Sequence, residues 1–271
     1  MSHKIPFYKA HGAGNDFIIF IEKDCPNYIS NPDFIKNICK RKIGIGADGV
    51  IIISKISIKY FKMDYYNLDG TWETFCANGA RCVGKILHEK GLIKKEVNFL
   101  AGDGNHQLKL DEKGEIWTKM KTPKNATDEL LICGFLGIHV DSGAKHFVCK
   151  VQQLNKDIVK NFGPKIRYAE EFRPHGINVN FCQKINDYQI KVITYEKGIE
   201  EVMLSCGSGA VAAAYYLHEK TNLKSPLKIE VPGGELILKF NDLWDDVWLG
   251  GPAVKLFESE VESNKILPMI S

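Results

Sequence analysis

Two cysteines stand at equivalent places of an internal repeat. Residues 76–90 read CANGARCVGKILHEK and residues 206–220 read CGSGAVAAAYYLHEK, so Cys76 corresponds to Cys206. The same offset along the chain gives 12 identities over residues 65–109, where average composition gives about three by chance. The chain is therefore interpreted as two copies of one unit, each with a cysteine at the start of a helix.

A thiol in that place is suited to proton transfer. Small residues follow each cysteine, in Ala77-Asn78-Gly79 and Gly207-Ser208-Gly209, and they let a ligand approach the backbone closely. The first N–H groups of a helix have no partner inside it and lie at the positive end of its dipole, so they bind a carboxylate and favour a thiolate. We expect one cysteine to act as thiolate base and the other as thiol acid on the α-carbon of an amino acid.

Other uses of the two cysteines remain open at this point. They could be buried residues of a duplicated fold, or a thiol–disulfide redox pair. A covalent nucleophile paired with histidine would need no second, equivalent cysteine. His11, His146 and His175 are available, but nothing in the sequence ties any of them to a cysteine.

Composition narrows the class of protein. The 271 residues include 36 basic and 33 acidic side chains, a net charge of +3, so neither nucleic acid nor an anionic membrane is an expected partner. Apolar runs such as residues 50–53 are too short to cross a bilayer, and the first residues carry no signal-peptide pattern. We expect a cytoplasmic protein. The eight cysteines include no C-x-x-C, so neither disulfides nor a zinc site is predicted.

The pattern of short strands with few helices predicts an α+β fold. Helices are expected near 33–41, from Cys76 to Lys90, and from Cys206 to a stop at Asn222, and residues 121–127 are the linker candidate. The glycine-rich run 44–49 lacks the signature of a phosphate loop and is interpreted as a tight turn. Strands are predicted at 17–21, 50–54, 60–66, 96–100, 107–110, 116–120, 147–151, 179–183, 189–194, 228–231, 235–240 and 247–249.

Taken together, the motifs resemble the diaminopimelate epimerase family, in order and over nearly the whole chain. The matching segments are KAHGAGNDF at 9–17, RKIGIGADG at 41–49, YNLDG at 66–70, CANGARC at 76–82, GINVNF at 176–181, YEKG at 195–198, SCGSGA at 205–210 and GGPA at 250–253.

The resemblance implies two pseudo-symmetric domains, each a curved, mostly antiparallel sheet around a central helix. One half would be 1–121, joined by a returning tail at 258–271, and the other 122–257. The implied activity is conversion of LL-2,6-diaminopimelate to the meso form in lysine and peptidoglycan precursor synthesis, without pyridoxal phosphate or a metal. A cytoplasmic homodimer is also implied.

The resemblance also assigns site residues. Cys76 and Cys206 would be the acid/base pair, and the others would bind substrate: Ala77, Asn78, Gly207 and Ser208 through backbone N–H groups, and Asn15, Asn67, Asn178, Glu196 and Lys197 through side chains. The family pattern has glycine at Ala77, arginine at Lys197, Glu-Thr at Val202-Met203 and x-Pro-His at Ala144-Lys145-His146. These departures leave open a cofactor-independent racemase of another amino acid, or a silent amino-acid-binding homologue.

Overall fold

The structure is a computed structural model that describes residues 4–57 and 60–266. The chain forms two compact units. Unit 1 takes in the described residues of Met1–Thr118 and Pro252–Ser271, and unit 2 is Lys119–Gly251. Of the tail predicted to return to the first half, residues 267–271 lie outside the described residues.

Unit 1 combines short strands with helices on two faces of its sheet. Its strands are β1 (Lys4–Gly12), β2 (Asn15–Ile21), β3 (Gly49–Ser57), β4 (Tyr60–Asn67), β5 (Trp72–Glu73), β6 (Glu96–Ala101), β7 (Gly104–Leu110), most of β8 (Ile116–Met120) and β19 (Val254–Glu262). Its helices are α1 (Pro32–Cys39), α2 (Ala77–Glu89) and α5 (Ser263–Ile266), with 3₁₀ turns at Glu22–Asp24 and Asn27–Ser30.

The continuous apolar run in β3 exists because both faces of that strand are buried. Ile51 and Ile53 pack in one cluster with the buried side of α2. Val50 and Ile52 pack in a second cluster with the buried side of α1. Since successive side chains of a strand point to opposite faces, a strand covered on both sides is apolar at every position.

Unit 2 has the same kind of construction. Its strands are β9 (Lys124–Asn125), β10 (Leu130–Ile132), β11 (Phe135–Asp141), β12 (Lys145–Lys150), β13 (Asn178–Asn186), β14 (Gln189–Glu196), β15 (Glu201–Val202), β16 (Leu227–Val231), β17 (Gly234–Lys239) and β18 (Val247–Gly250). Its helices are α3 (Lys156–Arg167) and α4 (Gly207–Lys220), with a 3₁₀ turn at Glu170–Phe172.

Strand pairing repeats between the units at the offset seen in the sequence. Strand β2 pairs in parallel with β3 at Phe17↔Gly49, and β12 pairs in parallel with β13 at Phe147↔Val179. Both partners of the first pair therefore map onto those of the second at the offset that relates Cys76 to Cys206. The antiparallel pairs β6–β7 and β16–β17 also keep their register. The duplication and the α+β class are confirmed.

Several local predictions differ from the structure, and strands β1, β11 and β19 were not predicted. Helix α3 was missed, because Gly163 and Pro164 weaken its helical pattern. Helix α4 ends at Lys220 and Thr221 is extended, with φ −147°, so the stop at Asn222 was wrong. The linker candidate 121–127 contains β9, which pairs with β11. Among the described residues, no helix is long and apolar enough to cross a membrane.

Candidate active site

Cys76 is the N-cap of α2, and its backbone is extended, with φ −137° and ψ 112°. Its Sγ accepts a hydrogen bond from the backbone N–H of Gly79 at 3.5 Å. The sulfur therefore lies among the first-turn N–H groups of the helix, where a negative charge is stabilised. The half-buried side chain retains access to solvent.

Asn15, at the start of β2, lies beside this cysteine. Its Oδ1 is 3.8 Å from Cys76 Sγ and accepts a hydrogen bond from Asn78 Nδ2 at 3.3 Å. Its Nδ2 donates to Asp48 Oδ2 at 2.9 Å. Because both ends of the amide are engaged, its orientation is fixed. The structure thus brings together three of the predicted residues of unit 1, Asn15, Asn78 and Cys76, and Ala77 is the first residue of α2.

Behind Asn15 lies a cluster of two acids and two bases. Arg41 donates hydrogen bonds to both carboxylate oxygens of Asp16, at 2.8 and 3.1 Å, and to Asp48 Oδ1 at 2.7 Å. Buried Lys9 donates to Asp16 Oδ2 at 2.6 Å and to the carbonyl of Gly46. Burial opposes ionisation of Asp16, but the hydrogen bonds from Arg41 and Lys9 outweigh it and lower the pKa of Asp16 to about 2. The cluster anchors Asp48, and through it Asn15.

Asn67, at the end of β4, is held by other partners. Tyr65 donates its hydroxyl to Asn67 Oδ1 at 2.7 Å, and Asn67 Nδ2 donates to Glu73 Oε1 at 3.2 Å. Within the described part of the chain, no direct hydrogen bond joins this amide to the Cys76–Asn15–Asn78 group.

In unit 2, Cys206 is the N-cap of α4, with φ −132° and ψ 112°, nearly the geometry of Cys76. Its Sγ lies 3.6 Å from the hydroxyl oxygen of Ser208. That hydroxyl is 2.9 Å from Nε2 of His146, whose Nδ1 is 2.7 Å from Asn180 Oδ1. The side-chain Nδ2 of Asn180 donates a hydrogen bond to Thr194 Oγ1 at 2.7 Å. A chain of polar contacts therefore leads from Cys206 into the interior of unit 2.

The direction of these hydrogen bonds follows from the last link. Since Asn180 presents its oxygen to His146, Nδ1 of the imidazole carries the proton and Nε2 accepts. Burial lowers the pKa of His146 to about 4, although the hydrogen bond to Asn180 opposes this. The neutral ring therefore accepts a hydrogen bond from the Ser208 hydroxyl, and the serine oxygen can accept one from the Cys206 thiol.

Gly209 lets the first turn of α4 lie directly against this chain. A Cβ at this position would stand 2.2 Å from Asn180 Nδ2 and 3.2 Å from Thr194 Oγ1. Any larger residue would push α4 away from β13 and β14 or displace Asn180. The glycine three residues after Cys206 is thus required by packing against Asn180 and Thr194.

Asn178 secures the backbone that carries two other predicted residues. Its Oδ1 accepts from the backbone N–H of Lys197 at 2.9 Å, and its Nδ2 donates to the carbonyl of Lys145 at 3.1 Å. Glu196 ends β14 half-exposed, and the next residue, Lys197, is exposed. Gly207 and Ser208 form the start of α4.

Sequence reasoning left three groups unassigned. They are Arg81, the charged cluster of Lys9, Asp16, Arg41 and Asp48, and the chain of His146, Asn180 and Thr194. One signal was present, because Asn180 lies between the apolar Val179 and Phe181 in β13 and a buried amide needs hydrogen-bond partners. The identity of those partners depends on strand register.

The comparison that decides the family covers most of the chain. The family model described as "Diaminopimelate epimerase" matches residues 7–125 and 138–255. The chain belongs to the diaminopimelate epimerase family. Relatives named diaminopimelate epimerase include those of Aquifex aeolicus (strain VF5), 33% identical over 94% of this chain and 97% of the relative, and of Flavobacterium psychrophilum, 35% identical over 94% and 99%. The predicted family, and with it the enzyme class of amino-acid epimerases, is confirmed.

Solved structures resemble this member of the diaminopimelate epimerase family in fold. A probable proline racemase from Agrobacterium radiobacter K84, with bound carbonate, gives a TM-score of 0.73 at 14% identity, over 98% of this chain and 95% of that one. A phenazine biosynthesis protein of the PhzF family from Enterococcus faecalis gives 0.69 at 15% identity, over 96% and 99%. These likenesses agree with the predicted duplicated fold.

Proposed function

We propose that this chain converts LL-2,6-diaminopimelate to the meso form, with Cys76 and Cys206 as the acid/base pair. The observation that carries the proposal is the equivalence of the two cysteines. Each is the N-cap of its helix with the same backbone geometry, and each lies at the position where the family motifs match. Two equivalent thiols are what an inversion at carbon needs, since a proton leaves one face and another arrives on the opposite face.

The proposed step balances in protons and charge. One cysteine, as thiolate, takes the α-proton and becomes a thiol, while the electron pair of the C–H bond spreads onto the α-carboxylate. The other cysteine, as thiol, returns a proton to the carbon and becomes a thiolate. Backbone N–H groups of Ala77, Asn78, Gly207 and Ser208 stabilise the carboxylate charge. Both proton transfers are assigned to thiols, so the step invokes neither pyridoxal phosphate nor a metal.

We assign the remaining polar groups of the substrate to five side chains. The fixed amide of Asn15 supports its placement beside the reacting carbon. Lys197, exposed next to Glu196, is assigned to the distal carboxylate, which it would bind as a point charge where the family pattern has arginine. The five side chains are Asn15, Asn67, Asn178, Glu196 and Lys197.

The first experiment follows the α-proton by NMR. Reduced protein, freed of pyridoxal phosphate, is incubated in D₂O with LL-diaminopimelate. Loss of the α-proton signal together with appearance of the meso isomer supports the proposal. No exchange, with all thiols titrated as reduced, rejects this substrate. Exchange with another amino acid instead would identify the racemase alternative.

The proposed activity places the chain in lysine and peptidoglycan precursor synthesis. We assign it to the cytoplasm, because the mechanism requires two reduced thiols and that compartment keeps thiols reduced. We also propose a homodimer that uses β19, whose apolar side chains Val254, Leu256 and Phe257 are 42%, 52% and 47% exposed. Exposed apolar residues grouped on one strand suit a self-complementary contact.

A further inference from the structure

Arg81 is a buried cation at the start of α2. Its side chain is fully buried, with 0% exposure. Nη2 donates to Asn78 Oδ1 at 2.6 Å and Nη1 donates to the carbonyl of Ala77 at 3.3 Å. The guanidinium therefore lies against the first turn of the helix that Cys76 caps.

This guanidinium lacks the usual compensation for a buried charge. Its Nε is buried without a hydrogen-bond partner, and within residues 4–57 and 60–266 no carboxylate lies within ion-pair distance of it. Burial lowers the pKa of Arg81, and the nearby sulfurs of Cys82 and Cys76 oppose that shift. Because arginine stays protonated even when buried, the site holds a positive charge that attracts an anion.

The charged groups in the cluster behind Asn15 balance one another. Lys9 and Arg41 are matched by Asp16 and Asp48 in the cluster behind Asn15. Further out on the elements packed against α2, side chains pair within their own groups: His106 with Asp103, and Lys255 and Lys85 with Glu89. Glu73 and Tyr65 hydrogen-bond Asn67. Arg81, by contrast, has no carboxylate among its charged neighbours in the described part of the chain.

Of the two sulfurs near Arg81, only Cys76 is suited to ionise. Cys82 is fully buried, and burial raises its pKa to about 12 even though Arg81 opposes the shift. Cys76 is half-buried, caps the helix and accepts the Gly79 N–H. Its 3.8 Å contact with Asn15 Oδ1 favours the protonated thiol, but such a long S–H···O contact is weak beside a buried full charge.

The second copy lacks this charge. Val211, which is buried, occupies the position equivalent to Arg81 in the repeat. The hydroxyl near Cys206 donates to neutral His146, so Ser208 offers the cysteine an acceptor and favours its thiol form. The surroundings of the two cysteines are therefore electrostatically unequal.

We propose that Arg81 is a positioning residue that keeps Cys76 as the thiolate of the resting enzyme and leaves Cys206 as the thiol. This inference deepens the proposed function and rests on it for its catalytic meaning. Proton transfer between two faces of a carbon requires one thiolate and one thiol, and a single uncompensated cation beside one cysteine sets that state before substrate binds.

The test measures alkylation of each cysteine by iodoacetamide against pH, with peptide mass spectrometry and no substrate. In the wild type, the midpoint for Cys76 should lie at least about one pH unit below that for Cys206. Arg81→Met, similar in length but neutral, should raise the Cys76 midpoint by about one unit and leave Cys206 unmoved. Arg81→Lys should restore most of the wild-type value.

Val211→Met is the matched control and should move neither midpoint, and exposed Cys133 serves as the reference thiol. A Cys206 midpoint at or below that of Cys76 in the wild type overturns the inference, even if Arg81→Met fails to fold. So does an unmoved Cys76 midpoint in a folded Arg81→Met protein. Because the alkylation experiment uses no substrate, it tests the inference about Arg81 even if the protein fails to epimerise diaminopimelate.

Discussion

His146 Nε2 lies 2.9 Å from the hydroxyl oxygen of Ser208, two residues after Cys206. The position equivalent to His146 in the first copy is Asp16, which lies in a cluster of ion pairs instead. The two copies thus keep one backbone register while their polar chemistry has diverged. Cys206 lies near the neutral pair Ser208 and His146, whereas Cys76 lies near Asn15 and the charged cluster that anchors it.

Replacing either catalytic candidate should abolish most turnover. We expect Cys76→Ser and Cys206→Ser each to lower kcat at least about a hundredfold, because a serine hydroxyl is a far weaker acid than a thiol. Circular dichroism should show an unchanged fold. Cys133→Ser, at an exposed position, is the control and should retain activity. Substantial turnover in either variant would exclude the two-thiol mechanism, whereas retained binding with no wild-type turnover would identify a binding protein.

Lys197→Met tests the proposed contact with the distal carboxylate. Loss of a contact present equally in ground and transition states raises KM and leaves kcat nearly unchanged. We expect KM for LL-diaminopimelate to rise roughly tenfold, about the loss of one charge-assisted contact. Lys156→Met, also exposed, should change neither constant. An unchanged KM in Lys197→Met would remove this residue from the site.

His146 should make the protein less stable as the pH falls. Its ordinary pKa of 6.5 is lowered to about 4 in the folded state. The contribution of neutral His146 to the free energy of unfolding is fully present above pH 6.5 and is lost as the pH falls through about 4. The reason is that the unfolded chain takes up this proton at a higher pH than the folded chain does. This loss is at most about 3 kcal/mol.

The measurement is urea unfolding at pH 7.5 and 5. His146→Gln should show a smaller stability difference between the two pH values than the wild type. The exposed His175→Gln control should match the wild type. An undiminished difference in His146→Gln would show that another group causes the acid loss.

The stabilisation of the folded protein by Asp16 should be lost at a lower pH than that by His146. The pKa of Asp16 falls from 3.8 to about 2 on folding, so its stabilisation is complete above about pH 4 and disappears as the pH falls through 2. Asp16→Asn should lower the free energy of unfolding at pH 7 by about 2–3 kcal/mol, because buried Lys9 loses its partner. In Asp24→Asn, where the ion pair with Lys23 is exposed, the change should stay within about 0.5 kcal/mol. Equal effects in both variants would contradict this account.

The dimer proposal is checked by sedimentation velocity. Phe257→Lys and Leu256→Lys should shift the protein from dimer to monomer, because a charge in an apolar contact is costly to desolvate. Leu131→Lys, which alters a side chain of unit 2 that is 69% exposed, should leave the dimer intact. A monomeric wild-type protein at micromolar concentration would refute the proposal.

The sequence by itself determined the duplication, the fold class and the two cysteines. These signals are local or periodic: a helix-starting Cys followed by small residues, strand-length apolar runs, and one constant offset between the two copies. The family followed from the motifs for the same reason. The sequence misplaced the α4 stop, missed strands β1, β11 and β19, and missed α3, where Gly163 and Pro164 obscured the helical pattern.

Only the tertiary structure decided which groups stand behind each cysteine. Asn180 meets His146 because β12 and β13 pair in parallel, and Asn15 meets Asp48 through the pairing of β2 with β3. These contacts join residues more than thirty positions apart. Burial, which keeps His146 neutral and surrounds the Arg81 guanidinium, is likewise a property of packing and has no local sequence signal.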